Sequence, residues 1–236
     1  MKDREQLQCW IHHSAAVAGG YLGIYAILCR GDFLGNAQTA NLIYLVHSLM
    51  GHNLTDAVLR LIAALLYMSG IALTVFVSKK YHGNLHILSL CVNAAAIVLL
   101  GLFPEEMNAV VGLFPIFFAM AVQWNSFPGA YGYVSSTIFS TNNLRQVAIA
   151  LSEYAITHDR KQLHKAKFFC GTLLCFHIGV AISIIAHHFF GIHSVWLCYI
   201  PLALTGTLVC CECRTDSAAA FLPQKGAALS KLPDQM

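Results

Sequence analysis

Apolar residues in this chain fall in blocks of helical length, separated by short polar breaks. Leu61–Ser78, Leu85–Phe103, Phe168–Phe190 and Ile192–Cys211 are each long enough to cross a bilayer core, which takes about 20 residues of helix. Met107–Phe127 is a fifth such block, and Ser14–Cys29, behind the polar start MKDREQLQCWIHH, is a sixth. Two shorter blocks, Thr39–Met50 and Val134–Leu151, each follow a polar, glycine-containing break. The runs are continuous rather than alternating, so they predict helices and not barrel strands. No small-x-small site follows the first block, so it reads as a retained span rather than a cleaved leader. The expectation is an all-α, polytopic helical membrane protein with about six spans.

Composition narrows the class. Of the 236 residues 57% are hydrophobic and only 11% charged, against roughly 25% charged in soluble domains, and mean hydropathy is +0.62. The implied partner is the lipid bilayer. The formal net charge is +3 and no basic stripe interleaves with aromatics, which argues against nucleic-acid binding. Most of the nine cysteines sit in apolar blocks, where a free thiol acts as a small hydrophobe. The domain reading is a cytosolic N-terminus (1–13), one transmembrane domain (14–211) and a disordered cytosolic tail (212–236).

The placement of Lys and Arg sets a direction. Lys2 and Arg4, Lys79 and Lys80, the group Arg160, Lys161, Lys165 and Lys167, and Arg214, Lys225 and Lys231 occupy alternate connections. The other connections hold Arg30 and Arg60, with Glu105 and Glu106 between the two halves. By the positive-inside rule both termini are cytosolic. The chain must then cross an odd number of times between His13 and Asp56, and again between Glu106 and Asp159. Each of those regions pairs one long block with one short one. One element in each is therefore re-entrant, or the two form one broken span, as is tolerated only under cover of protein or a watery cavity.

The halves echo one another, roughly residues 14–103 and 107–211, in the order long block, break, short helix, span, span. Leu65–Ile71 (LLYMSGI) resembles Leu173–Val180 (LLCFHIGV), and Gln38–Leu42 (QTANL) resembles Ser140–Leu144 (STNNL). Three net crossings per half make the two copies inverted, a plan used by transporters with broken helices at midplane.

The run Gly19–Leu42 (GGYLGIYAILCRGDFLGNAQTANL) resembles the opening signature of the YoaK family, bacterial inner-membrane proteins classed as a domain of unknown function. Phe33, Asn36, Thr39 and Asn41 resemble its Phe-x-x-Asn-x-Thr-Gly-Asn, with one residue more before Thr39 and Ala40 in place of Gly. Met120, Gln123 and Asn125 resemble its Gly-Met-Gln-Asn-Ala segment. Gly23 stands where the family has an Asp in its first span. The resemblance covers roughly residues 14–211 and implies a six-span membrane fold, with no established activity.

The candidate chemistry lies in the breaks. Asn36, Gln38, Thr39 and Asn41 follow the first block; Ser140, Thr141, Asn142 and Asn143 match them in the second half, with Gln123 and Asn125 just before. Such side chains donate and accept hydrogen bonds. A short helix starting at midplane presents free N–H groups and partial positive charge to an anion or polar solute. The same groups would equally satisfy unwound backbone. Arg145, about ten residues inside an apolar block, is a second candidate, as intramembrane charges are functional by default. His177, His187 and His188 offer a weak proton relay. Cys210, Cys211 and Cys213 lack metal-site spacing, and Gly19-x-x-x-Gly23 reads as close helix packing. With no nucleophile constellation or phosphate loop, no catalytic residue, metal or cofactor is assigned. The expected activity is a small-solute, possibly anion, transporter or permease in the bacterial inner membrane. Asn41, Asn143 and Arg145 are expected to line the path with Gln123 and Asn125. The alternatives are a non-transporting receptor or assembly partner, and a lipid-acting enzyme; a homo-oligomer is compatible with each.

Overall fold

The computed structural model describes residues 2–31 and 33–221. It is helical apart from one two-residue hairpin, in the order α1 (Lys2–Cys29), α2 (Gln38–Met50), α3 (Leu54–Lys79), α4 (Leu85–Leu102), α5 (Ala109–Gly112), α6 (Phe114–Ser126), β1 (Gly129–Ala130), β2 (Tyr133–Val134), α7 (Thr141–Thr157) and α8 (Arg160–Phe190). A 3-10 turn (Gly191–Cys198) then leads into α9 (Tyr199–Phe221). Four helical stretches are long and apolar enough to cross a membrane: Leu54–Lys79, Leu85–Leu102, Ala109–Ser126 and Arg160–Thr215, the last containing α8 and most of α9. The polar 1–13 segment is not separate from the fold, because its described residues form the first turns of α1. Helix α9 likewise runs past the expected boundary at 212 to Phe221, and residues 222–236 of the expected tail lie outside the described residues.

Local chemistry sets four of the helix starts. Asn53 caps α3 by accepting from the Asp56 N–H, Asn84 caps α4 through His86 and Ile87, Asn108 caps α5, and Asp159 caps α8 through Lys161. Each carbonyl or carboxylate oxygen satisfies an N–H that the helix leaves without a partner. Helices α2 and α7 differ: Ala37 and Ser140 precede them, and neither start has a side-chain cap.

The path around these two uncapped starts organises the molecule. Helix α1 ends at Cys29, and the next residue, Arg30, donates from Nη1 to the carbonyls of Pro104 (2.9 Å) and Glu105 (3.3 Å). The chain then turns back beside α1, until Asn36 Nδ2 reaches the Gly19 carbonyl at 3.0 Å, about 15 Å down the helix from Cys29 at 1.5 Å per residue. From there α2 returns to the end it came from, where Ser48 bonds Asp56 at the start of α3. The second half does the same from the opposite end. After α6, Phe127 packs with Ile11 and Val209, the hairpin reverses the chain, and Gln123 Nε2 reaches Thr137 Oγ1 at 3.2 Å. Helix α7 then leads back towards α8, whose Phe168 meets His12 and His13. The two returning segments touch where Asn36 Nδ2 also donates to the Ile138 carbonyl, at 3.0 Å.

Packing places α1 and α6 inside. Helix α1 lies along α8 and α9, α6 along α3 and α4, α2 on α3, and α7 on α8. The apolar window of Ala109–Ser126 is 67% buried, against 22–28% for the other three spanning stretches, so those carry the lipid-facing surface. Tyr21, Leu22 and Tyr25 of α1 meet Ile116, Phe117 and Met120 of α6 in the main core, with Ile97 and Leu100 of α4. Close approach needs missing side chains. A Cβ on Gly19 would strike the Thr137 carbonyl, and one on Gly23 the Asn36 amide. The Gly19-x-x-x-Gly23 spacing therefore serves packing, here against the two returning segments rather than a second helix.

Candidate functional site

The first turns of α2 and α7 open on one cavity of about 840 Å³. Its polar side is formed by Ala37, Gln38 and Thr39 from the first half and by Ser140, Thr141, Asn142 and Arg145 from the second. An uncapped helix start carries N–H groups in need of acceptors and a partial positive charge. Two such starts on one cavity make its polar wall positive. Arg145 adds a full charge, and it has no hydrogen-bond or ion-pair partner among the described residues. Among the described residues no carboxylate lines the cavity. The Gln38 amide nitrogen is buried without a partner, while its oxygen accepts from Asn41 Nδ2 at 2.8 Å. The rest of the lining is apolar and largely aromatic: Tyr67, Trp124, Phe139 and Phe176, with Leu34 and Leu42. Trp124 and Phe139 pack edge to face with ring centroids 5.0 Å apart.

Of the ten residues singled out from the sequence, the cavity gathers five: Gln38, Thr39, Thr141, Asn142 and Arg145. The others are placed differently. Asn36, fully buried, bridges the two returning segments. Asn41 donates to Gln38 and to the Arg60 carbonyl (2.9 Å). Gln123 donates to the Ala15 carbonyl (3.0 Å) and to Thr137. Asn143 accepts from Ser135 Oγ and the Ser136 N–H and donates to the carbonyls of Ser136 and Phe139. Asn125 donates back to the Ala121 carbonyl of its own helix. Of the expected path along Asn41, Asn143, Gln123, Asn125 and Arg145, only Arg145 lines the cavity. Asn143 holds backbone outside the helices, while Asn41, Gln123 and Asn125 donate to carbonyls within α3, α1 and α6.

Two further arginines are structural. Arg60 is buried, pairs with Asp56 (Nε to Oδ2, 2.6 Å) and lies between the rings of Phe33 and Tyr44, 4.8 Å from each centroid. Arg30 is buried against the carbonyls after α4. His177 bonds the Leu173 carbonyl one turn back and is exposed, and His187 Nδ1 lies 3.5 Å from Cys29 Sγ. Among the described residues no three His, Cys, Asp or Glu side chains converge on a metal site.

The sequence reading missed Ala37, whose lack of a side-chain oxygen leaves α2 bare, and the aromatic wall. The signal was present for the wall: Tyr67 and Phe176 lie within the two segments whose similarity marked the repeat.

Over residues 11–208 the chain matches the family described as protein of unknown function (DUF1275), and it belongs to that family. No curated protein and no solved structure matches it.

Proposed function

We propose that this protein is a membrane permease for a small anionic solute, built of two inverted three-span repeats with a re-entrant helix in each. The observation that carries the reading is the cavity where α2 and α7, arriving from opposite ends of the molecule, both begin without caps beside the unpaired Arg145. A helix start without a cap leaves its first N–H groups in need of acceptors. A solute anion supplies one here, and can leave again.

The packing pattern supports the inverted repeat. Exchanging the halves turns α1 on α8 into α6 on α3, α2 on α3 into α7 on α8, and α1 on α9 into α6 on α4, with the α4–α9 contact common to both. Two glycines hold equivalent places: Gly70 of α3 meets the backbone of α6, and Gly179 of α8 that of α1. Each half thus clasps the inner helix of the other, the arrangement that lets one repeat rock against the other around a central site. The match is imperfect at the charge, since Arg145 in STNNLR has Ile43 as counterpart in QTANLI. The site therefore holds one cation, off the pseudo-axis, suited to a monoanion. The basic connections support an orientation with both termini cytosolic, and the membrane proposed is a bacterial inner membrane.

The test is flux. Liposomes containing the purified chain alone are expected to take up a labelled organic monoanion saturably, and Arg145→Gln is expected to reduce uptake at least about tenfold, the cost of a lost charged hydrogen bond. Uptake equal to that of protein-free liposomes rejects the proposal.

A further inference from the structure

We infer that the solute is an amphipathic organic anion, a single carboxylate-like group on a flat apolar body, rather than an inorganic ion. This rests on the reading of the cavity as a solute site, and adds the class of solute. The lining combines polar groups at the two helix starts and at Arg145 with four aromatic rings, Tyr67, Trp124, Phe139 and Phe176. About 840 Å³ is within the range of cavities that enclose organic ligands, and far above the roughly 30 Å³ share of one water. An inorganic anion held at Arg145 would leave the aromatic wall facing solvent, a position with no part in binding. An aryl or branched alkyl carboxylate engages both parts of the lining. Its oxygens accept from the Arg145 fork and the free helix N–H groups, and its body packs on the rings. A cation is opposed by every charge on the polar wall, and a neutral aromatic leaves those donors unused. The headgroup of an acidic phospholipid shares this chemistry, and the test separates it from a soluble carboxylate.

The cavity carries its own reporter. The chain has three tryptophans, and Trp124 lines the cavity. In Trp10→Phe/Trp196→Phe protein in neutral detergent, 3-nitrobenzoate is expected to quench the remaining emission saturably. Benzoate should displace it, with acetate, inorganic phosphate and benzyl alcohol each at least about tenfold weaker. Arg145→Gln should weaken 3-nitrobenzoate about tenfold or more. In the unmodified chain benzoate should raise the melting temperature, since a ligand of the folded state stabilises it by mass action; this reading does not depend on the tryptophan variants folding well. Displacement by acetate or phosphate as effective as by benzoate overturns the amphipathic class and leaves the anion permease standing. A response to phosphatidylglycerol with none to benzoate overturns the soluble carboxylate in favour of a lipid headgroup. No response to any anion, with Arg145→Gln indistinguishable from the parent, overturns both.

Discussion

Asn36 and Arg145 came from the same sequence signal, polarity within apolar surroundings, yet they do opposite things. Asn36 donates to two carbonyls, one from each half, so Asn36→Ala should leave buried acceptors unpaired and cost about 1–3 kcal/mol. Asn36→Asp should cost more, because a carboxylate would face those same carbonyls. Thermal denaturation of the two variants without ligand checks the order, and an aspartate variant as stable as the parent would contradict the assignment. The sequence could not decide which carboxamides face backbone, since an amide serves backbone and solute alike. It did hold one unused constraint. Residues two apart on a helix point about 200° apart, so Asn143 and Arg145 could not both line one path. The structure turns Asn143 inward and Arg145 to the cavity.

His12 gives a pH prediction at the same scale. It precedes the apolar block of α1, and burial, aided by the neighbouring His13, drives its imidazole down to about 3. An unfolded histidine titrates near 6.5, so below that pH the unfolded chain binds a proton that the folded one does not. Stability tied to the neutral ring is complete above about 6.5 and drains as pH falls towards 3. His12→Gln should lose less melting temperature than the parent between pH 7.5 and 4.5; parallel slopes would contradict this.

Among the elements, Asn53, Asn84, Asn108 and Asp159 close the starts of α3, α4, α5 and α8, whereas α2 and α7 stay bare, as does α6, which follows directly on α5. Supplying the missing cap should therefore trade function for stability. Ala37→Asp is expected to stabilise the chain by about 1 kcal/mol, a rise of a few degrees in melting temperature, and to weaken benzoate binding by placing a carboxylate where the solute sits. A variant that binds benzoate as well as the parent would show that the start of α2 takes no part. The elements were legible wherever hydropathy alone defines them, as at α2, expected from Thr39 and observed from Gln38. The expected Val134–Leu151 block was drawn too early. Val134 belongs to β2 and residues 135–140 form the return path, while α7 starts at Thr141 and runs through Ser152 and Glu153 to Thr157. An apolar return segment and an apolar helix turn carry the same hydropathy, and only tertiary pairing tells them apart.

For the whole molecule, the decisive fact is that chain segments returning from opposite ends meet at one level. With both termini on one side, as expected from the basic connections, the parity of crossings asks for an irregular element in each half, and it leaves a re-entrant segment and a broken span equally open. The contact between Asn36 and Ile138, with each segment leaving by the end it entered, is the observation from which the re-entrant form is proposed. The cavity itself was not legible, because it depends on how α3 and α8 set Tyr67 and Phe176 around the two helix starts. The central claim is that these starts share one site reachable from both sides of the membrane. Thr39→Cys and Thr141→Cys, introduced singly into a chain whose exposed cysteines are replaced by serine, test it most directly, with a membrane-impermeant thiol reagent applied to either face of oriented vesicles. The account predicts that each cysteine reacts from both faces and that benzoate protects both at the same concentration. Reaction of Thr39→Cys from one face only and of Thr141→Cys from the other only, with no common protection, would contradict it.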